Sequence, residues 1–345
     1  ASEQGATLLN YVAVTGLQRD SDGFINGVVA ADQEAGQHWE IPARVVVNAT
    51  GAFCDQVRQM VDPAAARLIA PSQGIHLVFD RSFLPGNTAI MVPHTTDGRV
   101  MFAIPWHDHT LVGTTDVSIE VAPLEPRATD QEIDFILETA GRYLERAPTR
   151  ADILSVFAGI RPLVRAGNGA NTAALSREHT IHIDNSGLLT LTGGKWTTYR
   201  NMAEDCVSQA ATLAQLEDRP CVTRSLPIHG ACHPAEALGH LAVYGSDAAA
   251  IRDLKDGDPA LGEPLHPALP YTGAEVVWSV RHEMARTVED VLARRTRALF
   301  LNARAAQQMA PRVAELMAGE LERDLDWRRD EVDRFRRLAS GYVVS

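Results

Sequence analysis

Over the first two-thirds of the chain the apolar positions fall into short alternating or β-branched runs, and over the last third they take helical spacing. Residues 8–14 and 24–31 read as strands around the turn Asp20-Ser21-Asp22-Gly23, with 38–41 pairing beside them. The continuous β-branched centre of residues 44–51 predicts a strand buried on both faces, and a helix follows over 53–60. Residues 74–79, 89–92, 100–104 and 111–115 are spaced like an antiparallel sheet, with His107-Asp108-His109 in a turn. Ile133, Ile136, Leu137 and Ala140 repeat at helical spacing over 130–145, with Thr129 as the N-cap. Strands return over 151–217, where the apolar run 188–192 leads into a helix over 201–216.

From about Pro220 the texture changes. Residues 238–243, 245–254, 273–283, 287–292, 298–317 and 320–341 read as helices, with Pro264, Pro267 and Pro270 breaking a linker in the middle. This predicts a separate helical domain.

The length of 345 residues leaves room for two domains and a sizeable core. A formal charge of −12 argues against a general nucleic-acid binder but not against a local basic pocket. Cys54, Cys206, Cys221 and Cys232 show no CxxC spacing, which favours reduced thiols in a cytoplasmic protein. No apolar run of about 18 residues could span a membrane, and no signal peptide is visible. The chain opens on Ala1 without an initiator methionine, so a fragment or a processed product is expected.

The segment richest in candidate chemistry is Gly193-Gly194-Lys195-Trp196-Thr197-Thr198-Tyr199-Arg200, between the apolar run and the helix. Two glycines at a strand-to-helix turn let the backbone approach a ligand, helix N-terminal N–H groups face it, and the lysine adds a cation. Such a turn suits an electron-rich, partly anionic cofactor. Asn48-Ala49-Thr50-Gly51 ends a strand with small residues, where an open α/β sheet binds ligands; a core strand with a tight turn accounts for it equally well. The dinucleotide fingerprint GxGxxG is absent from these 345 residues. Arg161, between Gly159-Ile160 and Pro162, is restricted in direction and could grip a carboxylate or phosphate, or form a surface ion pair. His76 occupies a strand position with Ile75 and Leu77 on the opposite face; it could accept a proton from an alcohol or be a satisfied core histidine. His107 with His109, and His229 with His233, invite a metal reading, but no third ligand is evident, and no metal site is predicted.

Taken together these segments resemble the FAD-dependent glycerol-3-phosphate dehydrogenases of the respiratory or aerobic type. The matching pieces are Val46–Gly51, Gly74-Ile75-His76, Ile104-Pro105-Trp106 with Gly113-Thr114-Thr115-Asp116, Gly159–Leu163 and Gly193–Arg200. Glu283-Met284-Ala285-Arg286-Thr287-Val288-Glu289-Asp290-Val291-Leu292-Ala293-Arg294-Arg295 is similar to that family's C-terminal signature. Members of the family open with a GxGxxG unit, so the resemblance implies that this chain corresponds to the C-terminal two-thirds.

The fold class implied is α/β (α+β). A partial FAD-binding Rossmann-like domain is expected over 1–70 and 151–218, a β-rich substrate domain over 71–150, and an all-α C-terminal domain over 219–345. The implied reaction oxidises sn-glycerol 3-phosphate to dihydroxyacetone phosphate with FAD and passes electrons to quinone. Carried over by motif, His76 would accept or orient the C2 hydroxyl proton, Arg161 would hold the substrate, and Lys195 would lie beside substrate and flavin. Gly194, Lys195, Trp196 and Thr197 would face the pyrimidine end of the flavin; Val12 would meet the adenine side, and Ala49 and Gly51 the pyrophosphate and ribose. A glycerol-3-phosphate oxidase using oxygen, or a substrate-plus-helical module without FAD, remains open. Peripheral membrane contact is expected of the family, with Arg294, Arg295 and Arg297 near Leu299 and Phe300 as one patch, or as an ordinary charged helix face.

Overall fold

The first apolar run starts pairing later than its spacing predicts. Strand β1 is Val12–Arg19, and it forms an antiparallel meander with β2 (Ile25–Asp32) and β3 (His38–Pro42). The β1–β2 turn is fixed by Asp20, whose Oδ1 accepts from the N–H groups of Asp22 at 3.0 Å and Phe24 at 2.9 Å. Strand β4 (Val47–Asn48) has only two paired residues, and Val47 is 42% exposed. The expectation of a strand buried on both faces is therefore corrected. Among the described residues β4 lies at the edge of its sheet, so its β-branched run has a strand neighbour on one side only. Helix α1 (Cys54–Val61) follows.

The middle of the chain supplies β5 (Ile69–Asp80), β6 (Ile90–Val92), β7 (Met101–Trp106), β8 (His109–Gly113), β9 (Val117–Ser118), α2 (Asp130–Ala140), β10 (Ser155–Val164), β11 (His179–Ile183), β12 (Leu189–Gly193) and α3 (Tyr199–Leu213). The computed structural model describes residues 1–93, 95, 98–165, 178–233 and 235–344. Two units emerge. One comprises Ala1–Gln73, Val117–Leu124 and Ile160–Pro227; the other comprises Gly74–Asp116, Glu125–Gly159 and Ile228–Ser345. Strands β5 and β10 each change unit within their length.

In the first unit β12 pairs antiparallel with β11 and parallel with β4, with Thr190 opposite Asn48. In the second unit the strands lie in the order β10-β5-β8-β7-β6. Ile75, Leu77 and Phe79 point to one face of β5 and pack with Met101, Ala103, Val112 and, from α2, Ile133 and Ile136. Helix α2 starts where its sequence says it should. Thr129 Oγ1 accepts from the Glu132 N–H at 3.3 Å, and Glu132 Oε2 accepts from the Thr129 N–H at 3.0 Å, closing a capping box. Between β7 and β8, His107 and Asp108 both adopt positive φ (46° and 58°), the backbone that a two-residue hairpin turn requires.

The C-terminal helices belong to the same unit as this sheet. They are α4 (Ala248–Gly257), α5 (Pro259–Gly262), α6 (Gly273–His282), α7 (Ala298–Leu301), α8 (Ala303–Leu321) and α9 (Leu325–Ala339). The proline-broken linker is in fact a small hairpin, β13 (Pro264–His266) with β14 (Leu269–Thr272). A two-stranded sheet has only edges, so proline can be accommodated there. The run 298–317 is split at Asn302, whose side chain caps α8 by accepting from the Ala305 N–H at 3.0 Å. The signature stretch 283–295 winds into a π-helical turn, Asp290–Arg295, around a buried carboxylate. Asp290 accepts from the N–H groups of Arg286 at 2.8 Å and Thr287 at 3.1 Å and from the Arg294 guanidinium at 2.9 Å. These bonds close the turn on itself, and the Val288 N–H donates to Glu331 of α9 at 3.0 Å, tying the turn to that helix. Of the residues considered for a membrane patch, Leu299 is fully buried, and Arg294 and Arg295 are ion-paired with Asp290.

Candidate active site

In the first unit the parallel pairing of β4 and β12 makes both strands turn off at the same end of their sheet. Ala49-Thr50-Gly51 leaves one strand and Gly194-Lys195-Trp196 the other. The carboxyl end of parallel strands is where α/β sheets hold ligands. Asn48 shapes the first turn. It is buried, its Nδ2 donates to the Cys54 carbonyl at 2.9 Å, and its Oδ1 accepts from the Thr50 hydroxyl at 2.7 Å. Gly51 takes φ +57° with open space above it, so backbone is presented there without a side chain in the way. Burial pushes the neighbouring Cys54 thiol up, which keeps it protonated and inert.

The second turn depends on its two glycines. Gly193 and Gly194 adopt φ +76° and +74°. A Cβ on Gly193 would stand 2.7 Å from Cγ2 of Val164 at the end of β10, and one on Gly194 would stand 2.6 Å from the Met202 sulfur on α3. The missing side chains thus let β12, β10 and α3 close on one another. Gly194→Ala should cost about 1–3 kcal/mol of stability from the left-handed backbone together with the clash. The check is the urea midpoint, and an unchanged midpoint would show that the turn relaxes freely. Beyond the glycines, Lys195 precedes a short 3-10 turn, Trp196–Thr198, that runs into α3. The first N–H groups of such a turn have no partner within it and lie at the positive end of the helix.

Close approach of β12 to β10 brings two of the predicted residues together. Arg161 and Lys195 line one open pocket of about 370 Å³, with Ile160, Pro162, Leu163, Gly193 and Gly194. Pro162 is accommodated because β10 is an edge strand, and the residue before it is held extended. Lys195 is exposed, and its ammonium makes no ion pair or hydrogen bond among the described residues. Of the 32 basic residues only Lys195 and Lys255 are lysines. Trp196, 86% exposed, stacks on Tyr199 with centroids 5.5 Å apart. Thr197 is exposed on the same turn; Val12 begins β1 in the meander, and Ala49 is exposed.

His76 stands in the second unit, on the face of β5 opposite Ile75 and Leu77. Its strand partner is Gly113, which in turn pairs with Phe102, and Phe102 pairs with Met91. These four form one row across the sheet, and Met91 and Phe102 are exposed. Glycine is the only side-chain-free member of that row, and the imidazole leans into the notch it leaves. A Cβ on Gly113 would press on Cδ2 of His76 and stand 2.9 Å from its Cγ and Nε2. On the other side lies Phe157 of β10, stacked with ring centroids 5.4 Å apart and planes 17° off parallel. Sequence reasoning missed Gly113 as a neighbour of His76 and missed Phe157 altogether. Both act through cross-strand register, which leaves no local signal.

Residues 1–200 match the family model of FAD dependent oxidoreductases, and residues 188–329 match the C-terminal domain of alpha-glycerophosphate oxidase. The probable mitochondrial glycerol-3-phosphate dehydrogenase of Caenorhabditis elegans is 40% identical over 346 residues, covering 93% of this chain and 48% of that protein. The human mitochondrial glycerol-3-phosphate dehydrogenase is 36% identical over 358 residues, covering 96% and 49%. The chain therefore spans about half the length of the curated relatives it matches. An X-ray structure of the glycerol-3-phosphate dehydrogenase from Bacillus halodurans complexed with FAD matches with a TM-score of 0.84 at 28% identity, covering 99% of this chain and 71% of that one.

Proposed function

The chain belongs to the FAD-dependent oxidoreductases, within their glycerol-3-phosphate dehydrogenase family, and from that premise we propose that it oxidises sn-glycerol 3-phosphate to dihydroxyacetone phosphate with electrons passing to a quinone. The observation that carries the reading is the pocket shared by Arg161 and Lys195 at the glycine turn. A phosphate monoester carries about two negative charges at neutral pH. Two cations in one pocket offset that charge within a protein of net charge −12.

Each residue then has a chemical task. The Arg161 guanidinium grips phosphate oxygens through paired N–H donors, and Lys195 supplies a compact second charge. His76 receives the C2 hydroxyl proton at an imidazole nitrogen as the C2 hydrogen leaves with its electron pair. FAD, when bound, is the acceptor of that hydride. The residues present suit its flavin end, while the GxGxxG turn of the family is absent from these 345 residues. The side-chain-free backbone at Gly194 and the N–H groups of Lys195, Trp196 and Thr197 would hold the flavin's electron-rich pyrimidine end. Ala49 and Gly51 would lie along pyrophosphate and ribose, and Val12 would meet the adenine side. Among the described residues no helix is long and apolar enough to cross a membrane. A quinone acceptor implies contact with a membrane, which in this reading is peripheral and on the inner face of the cytoplasmic membrane.

The test is anaerobic. Added to the FAD-loaded protein, sn-glycerol 3-phosphate should bleach the visible flavin band, sn-glycerol 1-phosphate should not, and a soluble quinone should restore the colour faster than oxygen does. Bound FAD that no glycerol phosphate bleaches would overturn the activity. Rapid recolouring by oxygen with stoichiometric peroxide would replace the dehydrogenase by an oxidase.

A further inference from the structure

A proton acceptor works best with its ring held in one plane, and the ring of Phe157 lies against that of His76. The χ2 torsion of histidine has broad, shallow wells, so the backbone of β5 does not set it. Gly113 offers a notch on one side of the imidazole but no side chain to hold it. The other side is Phe157, nearly parallel to the imidazole.

Phe157 is itself held firmly. Phe300 of α7 meets it edge-on at 5.1 Å and 69°, and Trp106 leans on it at 6.3 Å. Behind Phe300 stands Tyr342, at 5.8 Å and 64°, whose hydroxyl donates to Glu125 at 2.7 Å and whose ring lies beneath the Arg127 guanidinium. The strand carrying Phe157 is tied to the same helices. Ser155 Oγ donates to the Leu299 carbonyl at 2.9 Å, and the Ala303 N–H donates to the Leu154 carbonyl at 3.1 Å. Every one of these residues lies in the second unit.

We propose that Phe157 is a positioning residue for His76, and that the C-terminal helices, through Phe300 and the two bonds at the start of β10, hold it in place. This gives the helical part of the chain a task in the chemistry beyond packing. The inference rests on His76 being the proton acceptor. Edge-to-face and offset aromatic pairs are directional as well as attractive, which is what transmitting an orientation requires.

The experiment compares Phe157→Leu, Phe157→Tyr, Phe300→Leu and His76→Asn in the FAD-loaded chain, with histidine-labelled NMR as a second readout. The His76→Asn spectrum identifies the His76 resonance by its loss. Phe157→Leu keeps an apolar side chain but removes the ring. It should lower kcat by about 10- to 100-fold, the scale of a catalytic group displaced by about an ångström, with KM and FAD affinity unchanged. It should also abolish the ring-current shift of the His76 protons. Phe157→Tyr should restore both, and Phe300→Leu should move both part of the way. The proposal falls if His76→Asn is inactive while Phe157→Leu keeps normal kcat. If His76→Asn stays active, the catalytic reading of His76 falls instead, and a changed or unchanged His76 χ2 torsion in Phe157→Leu, read from couplings between the β protons and the ring carbons, still decides whether Phe157 orients the ring.

Discussion

Arg161→Ala should lower kcat/KM for glycerol 3-phosphate by about 100- to 1,000-fold, mostly through a higher KM. Hydrogen bonds to charged groups contribute about 1.5–3 kcal/mol each, a paired guanidinium makes two, and about 1.4 kcal/mol is a factor of ten. Lys195 shares the pocket, so the remaining cation still attracts the phosphate, which keeps the loss below the simple sum. Arg161→Lys should recover charge without the planar fork and so regain only part of the activity. FAD affinity should change little, because the flavin contacts are assigned to the backbone of the glycine turn. Substrate saturation curves for wild type, the two Arg161 variants and Lys195→Met form the check. If Arg161→Ala stayed within threefold of wild type, Arg161 would not touch the phosphate, and the substrate assignment would lose its strongest support.

The residues in that prediction were legible from the sequence, and those around His76 were not. Gly193-Gly194-Lys195 is a local device: a strand, two glycines at positive φ and a helix follow one another within a few residues. Arg161 is likewise marked by the proline beside it. The neighbours of His76 come from two other strands, β8 and β10, and only the arrangement of the sheet puts Gly113 and Phe157 against its ring. The same limit explains the misread elements. The β-branched run of β4 carried no sign that it would lie at an edge, and Asn302 within an apolar helical pattern did not betray itself as a cap. The prolines of the β13–β14 hairpin mimicked a linker because strand edges and linkers tolerate proline for the same reason, a missing N–H that nothing needs. The stretch 283–295 was recognisable as a family signature, but its physical task, wrapping a π-helical turn around Asp290, appeared only once the hydrogen bonds were seen.

Gly113→Ala tests the other side of the imidazole and should act on turnover more than on folding. Within a strand, alanine is favoured over glycine by roughly 0.5–1 kcal/mol, and Gly113 is not among the residues at positive φ, so the backbone has no objection to a side chain. What opposes it is one neighbour. The new Cβ would occupy the space of the His76 ring, with Cγ and Nε2 both 2.9 Å away, well inside normal contact. The ring must swing out of the notch, because the strand on which Gly113 lies is pinned between β5 and β7. Phe157 blocks retreat on the far face, so the displaced imidazole would also lose its stacking. A proton acceptor moved by about an ångström costs about 100-fold, so kcat should fall by that factor while KM stays near wild type, and the overpacking should lower stability by about 1–3 kcal/mol. Full turnover with Gly113→Ala would mean that His76 does not need its present orientation, and the proton transfer would then have to be assigned to another group.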